Sequence, residues 1–411
     1  MTQHPDHPVY EDIEARGHLI DSNILSRIMN GIVELDGEFE VLSLTVGRGN
    51  ANPSTLNLRV FGRDEAHVAE MLRLLHDLGV SPLHPDDART EPAPADGVFP
   101  EGFYATTNLA TSVRVGGQWQ PVEGTEMDLG IRIDPVTGAA SGVPVAQVRA
   151  GDPYVVGQAG VRVASQERPR AREEFEFMNS TASSEKPKEQ IIRQVAALLR
   201  EVRAAGQGII FVVGPAIVHT GAAKDLARLV RAGYVSVLFG GNAVATHDIE
   251  SALFGTSLGI DMATGASVPG GHEHHLRAIN RIRAVGGIRP AVEQGVLTEG
   301  LMHCLVETGT PYVLAGSIRD DGPLPDVITD TMQAQVAMRP WCQEAGACIM
   351  MSTMLHSIAT GNMLPAAVTT VCVDINPAVV TKLADRGSFQ TIGIITDVGL
   401  FLRLLADELG C

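Results

Sequence analysis

The stretch GACIMMSTMLHSIATGNMLPAAVTTVCVDINPAVVTKLADRGSFQTIGIITDVGLFLRLLADELGC, residues 346–411, decides the fold. Residues 347–351, 370–373 and 391–395 are apolar runs too short for helices, each closed by a small or charged residue, so they read as strands. Polar residues follow each strand: Ser352, Thr353 and His356 after the first, Asp374 and Asn376 after the second, Thr396 and Asp397 after the third. In an open parallel α/β sheet the carboxyl ends of the strands form the crevice where ligands bind. Three such ends in a row suggest a nucleotide site. Asp374 can accept both hydroxyls of an adenosine ribose; the competing reading is a helix cap. Asp397 opens the helix VGLFLRLLADEL and is either a cofactor contact or its N-cap.

Upstream, residues 209–213 form another apolar strand, followed by a loop from Gly214 to His219. The loop has neither G-x-G-x-x-G spacing nor a Walker pattern, but a small-residue turn before a helix N-terminus is where free backbone N–H groups can meet a pyrophosphate. His219 is a functional group or a structural loop histidine. YVSVLF is a second strand, and Gly240 and Gly241 allow close backbone approach ahead of Asn242, which can hydrogen-bond a ligand. After the strand PYVLAG comes SIRDDGPLPDVITD, the densest polar loop, with Arg319, Asp320, Asp321 and Asp326. Its carboxylates can hold the ammonium groups of a diamino acid and Arg319 can clamp a carboxylate in bidentate fashion; the alternative is a solvated loop with Asp326 capping a helix. His272, His274 and His275 in GGHEHHL lack the helical spacing of a zinc site, so no metal is expected.

Toward the amino terminus, residues 1–15 read as a flexible tail and GHLI as a short strand. Ile24, Ile28 and Ile32 fall at helical spacing behind Ser22, a candidate N-cap. EFEVLSLTV and TLNLRVF then alternate, and EAHVAEMLRLLHDLG is an amphipathic helix. The order β-α-β-β-α over residues 16–90 predicts a ferredoxin-like α+β domain. DARTEPAPADG, residues 87–97, reads as a linker. Residues 98–166 are nearly all strand, with a Gly116-Gly117 hairpin turn and another turn at 134–138, and predict a small β domain, barrel-like. Within it, Asn108 faces a ligand or is a turn residue. Residues 167–186 form a charged and polar linker, and a helix carrying Ile191, Ile192, Val195, Leu198, Leu199 and Val202 opens an α/β domain over 187–411. The class is therefore α/β multidomain, its carboxyl-terminal part a doubly wound, Rossmann-like domain.

Composition narrows the partners. With 48 acidic and 31 basic side chains the net charge is −17, which repels phosphate backbones, so no nucleic acid is expected. No apolar run approaches the roughly 20 residues that span a bilayer, and no signal peptide is recognisable. Five scattered cysteines without a CxxC pair fit a reducing compartment. The expectation is a cytoplasmic, non-membrane protein whose apolar-rich, aromatic-poor chain assembles as a homo-oligomer.

The motifs GPAIVHTG, GGNAVATHDIE, FGTSLGIDMATG, GGHEHHLRAINRIR, AVEQGVLTEGLM, LAGSIRDDGPLPDVITD, STMLHSIATGNMLP, VCVDINPAVVTKLADRG and TDVGLFL together resemble the LOR/SDH conserved-region family. That family includes the archaeal-type ornithine cyclodeaminases and the carboxyl-terminal half of cyanobacterial bifunctional arginine dihydrolases. The order STM, VDIN, TDVG is also similar to that of the cofactor-contacting elements in deoxyhypusine synthase-like and sirtuin-like NAD-binding domains. The resemblance implies NAD-dependent conversion of L-ornithine to L-proline and ammonia, the hydride taken from Cα returning to a cyclic imine. It implies cofactor contacts at Asn242, Ala243, Ser352, Thr353, Met354, Leu355, His356, Asp374, Ile375, Asn376, Asp397 and Val398, and Gly214 joins them by its place in the turn after the first strand. It further points to amine binding or proton relay at Asp320 and Asp321 with His219 and Glu293 behind them; Arg319 and Asn108 are the candidate substrate contacts from the reading of their own loops. The chain carries no arginine-hydrolysing domain, so no dihydrolase activity is expected. Two other classes remain open: an NAD(P)-linked amino-acid or imine oxidoreductase of lysine or saccharopine type, and a non-catalytic sensor of amino acid and NAD.

Overall fold

The structure, a computed structural model, describes residues 8–20, 23–47, 52–164, 188–268, 271–320, 322–385 and 391–411. Two compact units divide the chain, Met1–Phe177 and Met178–Cys411.

The first unit opens with β1 (Val9–Gly17), α1 (Ile24–Glu34), β2 (Glu38–Thr45), β3 (Ser54–Gly62), α2 (Glu65–His76) and β4 (Val80–Pro82). The sheet order is β2-β3-β1-β4, antiparallel throughout, which is the ferredoxin-like arrangement. Ile24, Ile28 and Ile32 of α1 and Val68, Met71 and Leu75 of α2 are buried against Ile13, Ala15, Leu56, Leu58 and Val60. Two expectations change. β1 starts at Val9, inside the stretch expected to be tail, and residues 18–20 of GHLI form a turn. Only Ile13 and Ala15 of VYEDIEARG are buried apolar residues, so the strand looks polar in sequence. One of its charges is paired across the sheet, where Arg59 of β3 donates to both carboxylate oxygens of Asp12 at 2.7 and 2.9 Å. In β2 a bulge between Val41 and Ser43 breaks the alternation and sets Val41 and Leu44 opposite Leu58 and Leu56 of β3; at this sheet edge both remain exposed. Ser22 lies outside the described residues.

A seven-stranded sheet follows: β5 (Thr90–Pro92), β6 (Thr111–Val115), β7 (Gln118–Glu123), β8 (Gly130–Ile133), β9 (Ala140–Val143), β10 (Pro153–Val155) and β11 (Val161–Val163). Its order is β11-β6-β7-β9-β8-β10-β5. Gly116 and Gly117, at φ 58° and 79°, make the two-residue turn between β6 and β7 that needs left-handed backbone at both positions. Asp134 Oδ1 accepts from the N–H groups of Val136 and Thr137 in the next turn. The linker reading of 87–97 is corrected: β5 lies within it, pairing with β10 at the sheet edge, where Pro92 removes no ladder donor the sheet needs. The Ala88 N–H also donates to Arg114 O of β6, so the sheet curls toward closure. A buried hydrogen bond, His76 Nε2 to Tyr104 OH at 2.9 Å, joins the α+β part to the β part. The expected linker over 167–186 lies outside the described residues.

The second unit runs α3 (Lys188–Ala204), β12 (Gly208–Val213), α4 (Ala216–His219), α5 (Ala223–Arg231), β13 (Val237–Gly241), α6 (Asn242–Phe254), β14 (Thr256–Ser257), β15 (Ile260–Asp261), α7 (His274–Val285), α8 (Ile288–Glu293), α9 (Leu301–Thr308), β16 (Tyr312–Ala315), β17 (Val327–Ile328), α10 (Thr331–Gln343), β18 (Ala345–Met351), α11 (Met354–Met363), β19 (Thr369–Asp374), α12 (Pro377–Asp385), β20 (Thr391–Ile395) and α13 (Val398–Leu409). The sheet is parallel in the order β17-β16-β13-β12-β18-β19-β20. Successive residues of β12, from Ile209 to Val213, are all buried, as are Ala347 to Met351 of β18. Side chains of a strand alternate between faces, so both faces are covered, which is why these strands are unbroken apolar runs. Among the described residues, no helix is long and apolar enough to cross a membrane.

Candidate functional site

The chain reverses direction across the sheet between β12 and β18. Here the strand ends come into close contact. The Gly214 N–H donates to Met351 O at 2.9 Å, and a Cβ on Gly214 would stand 2.0 Å from Ser352 O, so only glycine admits this approach. Ser352 has φ 53°, left-handed backbone that costs a non-glycine residue about 1–2 kcal/mol, and its N–H donates to Val373 O of β19. Thr353 is the N-cap of α11 but its side chain does not cap, so the positive helix end is left to whatever lies in the crevice.

On the β19 side, Asp374 Oδ1 accepts from the Asn376 N–H at 2.8 Å and Asn376 Oδ1 from the Ala378 N–H at 3.0 Å. This turn engages one Asp374 oxygen. Leu355 and Ile375 are 74% and 73% exposed, which puts apolar side chains at the strand ends where a flat ring can lie. The Thr396 hydroxyl is buried with no partner among the described residues. Asp397 takes its capping role: Oδ1 accepts from the Leu400 N–H at 3.0 Å. The side chain of Val398 is buried, leaving only its backbone for a ligand. Burial, with Asp374 second, pushes the Cys372 thiol up to about 12, so it is no nucleophile.

On the β13 side, Asn242 begins α6, and its Oδ1 accepts from the Thr246 hydroxyl and the Leu324 N–H. Its oxygen therefore anchors the acidic loop, and Ala243 beside it is exposed. A Cβ on Gly241 would lie 3.6 Å from His356 Nε2, so this imidazole packs against the end of β13. Burial pushes His356 below its ordinary pKa, with Asp320 opposing. Asp320 accepts from the Ser317 N–H at 2.8 Å. Asp326 caps α8 through the Ile288 N–H and accepts from Tyr312 OH, so the capping alternative holds for it. Met354, Arg319 and Glu293 are exposed; Asp321 lies outside the described residues; Asn108 is buried in the first unit.

His219 does not stand alone. Its Nδ1 is 2.7 Å from Ser257 Oγ, and its ring meets that of His247 edge-on at 4.9 Å. His247 Nδ1 in turn lies 2.9 Å from Glu250 Oε2. Sequence reasoning missed His247 and Glu250, although their spacing in THDIE places both on one face of α6. Burial, then His247, pushes His219 below the usual histidine range, with Glu250 opposing. Among the described residues, no group of His, Cys, Asp and Glu has a metal-binding arrangement.

A parallel sheet wound outward in both directions from β12 and β18, with polar groups at the strand ends around the reversal, defines a Rossmann-fold protein. Family models agree. Residues 193–405 match the Rossmann fold of the ArgZ-like arginine dihydrolase carboxyl-terminal region, 110–192 its first region, and 10–109 the LOR/SDH bifunctional enzyme conserved region. The chain belongs to this LOR/SDH, ArgZ-like family. It is similar to the ornithine cyclodeaminase of Methanopyrus kandleri, 54% identical over 97% of each chain. It is similar to crystalline ArgZ, an arginine dihydrolase of cyanobacteria, at TM-score 0.82 and 40% identity over 98% of this chain and 58% of that one. AgrE in ternary complex with ornithine and NAD+ matches at TM-score 0.52 and 42% identity, over 98% of this chain and 57% of that one.

Proposed function

We propose that this protein is an NAD-dependent ornithine cyclodeaminase, an ammonia-lyase that converts L-ornithine to L-proline. The observation that carries the reading is the strand-end crevice at Gly214 and Ser352 in a chain more than half identical, end to end, to an ornithine cyclodeaminase. The residues fit the dinucleotide. Gly214 lets the ends of β12 and β18 close on each other beside the uncapped α11, whose N-terminus can face a diphosphate, Asp374 retains an oxygen for ribose hydroxyls, and Leu355 and Ile375 offer apolar walls. A carboxylate at Asp374 repels a 2′-phosphate, which favours NAD over NADP.

From the end of β19 to that of β13 is three strand spacings, about 14 Å, so ribose recognition and substrate chemistry occupy opposite flanks of Gly214. NAD+ when bound supplies a hydride acceptor that later gives the hydride back. The protein must do the rest: bind the diamino acid, exclude water from the imine, and move protons between its two nitrogens. Asp320 supplies a carboxylate for an ammonium group, and His356 and His219, held neutral by burial, are suited to accept protons. The free cysteines, four of five buried, fit a cytoplasmic setting.

The test uses ornithine deuterated at Cα. A cyclodeaminase keeps the label in proline and forms product without net change at the nicotinamide absorbance. Stoichiometric NADH release with an oxidised product would instead assign an ordinary oxidoreductase, and absence of turnover with any diamino acid would assign a sensor.

A further inference from the structure

Glu250 lies wholly inside the second unit and takes no part in the steps just described. Its side chain has no exposed surface, yet its carboxylate accepts four hydrogen bonds. Oε2 accepts from His247 Nδ1 at 2.9 Å and the Leu258 N–H at 3.3 Å; Oε1 accepts from Thr256 Oγ1 at 2.9 Å and the Gly259 N–H at 3.1 Å. Burial alone would raise this carboxyl, but the bonds from His247, Gly259 and Thr256 outweigh it and hold it below the usual range. It is therefore a carboxylate, which accepts and does not donate.

That fixes protons on two histidines. His247 Nδ1 faces an acceptor, so it carries the hydrogen and Nε2 keeps its lone pair. The Thr256 hydroxyl has one proton, spent on Glu250. The contact of Thr256 Oγ1 with His274 Nδ1 at 2.8 Å therefore requires His274 to donate, and its Nε2 is likewise open. The same carboxylate holds the turn 256–259, in which Leu258 has φ 54°, and this turn delivers Ser257 to His219.

We propose that Glu250 is the positioning residue of the proton-transfer site: it sets His247 as a base at Nε2, and through the 256–259 turn it fixes the His219 ring beside it. This rests on the cyclodeaminase reading. His247 Nε2 takes a proton from the side-chain ammonium, and the freed amine adds to the carbon of the neutral imine, opening its carbon–nitrogen double bond while one proton of the adding nitrogen passes to the α-nitrogen. His247 then gives its proton to the α-nitrogen, which leaves as ammonia as the ring nitrogen's lone pair forms the cyclic iminium, so the imidazole ends as it began. Glu250 stays ionised throughout and stabilises the imidazolium between the two transfers, as a buried carboxylate does for a catalytic histidine.

Among the described residues, the titratable groups facing His247 are His219, Glu250 and, at 6.5 Å between rings, His275. In Glu250→Gln, kcat for ornithine is expected to fall about 100-fold, with KM and NAD affinity changed less than about threefold. Its acid limb should move to lower pH, because the imidazolium loses its counter-charge. His247→Asn should lose a similar factor, and the double variant should be no worse than His247→Asn alone. Long-range nitrogen-15 NMR of the unsubstituted protein reads the tautomers without turnover and is unaffected by any folding defect of the variant. Nδ1–H at both His247 and His274 supports the assignment; Nε2–H at His247 overturns it, as do additive losses in the double variant or an unmoved acid limb. Absence of ornithine turnover together with Nδ1–H tautomers would sink the cyclodeaminase reading and leave the positioning role standing.

Discussion

Gly214→Ala tests the crevice most directly. The added Cβ would sit 2.0 Å from Ser352 O, 2.8 Å from Ser352 C and 3.2 Å from Thr353 Cβ, and real Cβ contacts essentially never fall under 3.0 Å. At least about 1 Å of separation must open between the ends of β12 and β18, and backbone, not a flexible side-chain tip, has to move. Overpacking of this kind costs about 1–3 kcal/mol. For a cooperative unit of this size, about 2 kcal/mol lowers Tm by roughly 4–8 °C. A displacement of about 1 Å at a reacting centre also costs on the order of 100-fold in rate. Scanning calorimetry, titration with NAD and ornithine turnover should all register the change. Gly361→Ala is the control: it lies within α11 and its Cβ would meet nothing closer than 3.9 Å, so it should be neutral or stabilising by about 0.5–1 kcal/mol. A Gly214→Ala protein with the parent's Tm and NAD affinity would refute the argument that the dinucleotide lies across this junction.

Asp374→Ala should weaken NAD binding by about 1.5–3 kcal/mol, the range for hydrogen bonds to a charged group, and narrow the preference over NADP; calorimetric titration of both dinucleotides reads each effect. Ser352→Gly relieves left-handed strain worth about 1–2 kcal/mol, so Tm should rise while NAD affinity falls if the hydroxyl contacts the cofactor. Asp248, buried with its two oxygens accepting from the Leu301 and Met302 N–H groups, should cost about 1–3 kcal/mol when replaced by Ala, because two buried donors at the start of α9 lose their partner. Burial pushes the Asp248 carboxyl up to about 6 despite those bonds. With a folded pKa above the ordinary 3.8, its contribution to stability is greatest below pH 4 and is lost as pH rises toward 6. Denaturant titration of parent and Asp248→Ala across that window should show their difference shrinking with rising pH.

The carboxyl-terminal strands were legible because they are covered on both faces and so become unbroken apolar runs, with Asp374 and Ser352 exposed to view at their ends. β1 was not, because its outward face carries charges that become acceptable only when Arg59, 47 residues away, reaches Asp12. β5 escaped notice because three residues of an edge strand, one of them proline, read locally as a linker. Within the site, Asp397 and Asp326 were open between ligand and helix cap, and each caps a helix, since sequence cannot tell which backbone N–H a strand-end carboxylate will meet. Glu250 went unseen for the opposite reason. Its partners at Thr256, Leu258 and Gly259 follow in a turn whose path is set by the carboxylate itself, and nothing in THDIESALFGTSLG announces that the glutamate points inward.

The reversal at Gly214 also separates two kinds of inheritance. On the proposed reading, the residue that reads the carrier's ribose ends β19, whereas the groups that handle nitrogen follow β12 and β16 or lie on α6 and α11, and Gly214 stands at the reversal in a position that tolerates no side chain. On that reading, substitutions in the loop after β19 should move the dinucleotide preference and leave the amine preference where it was.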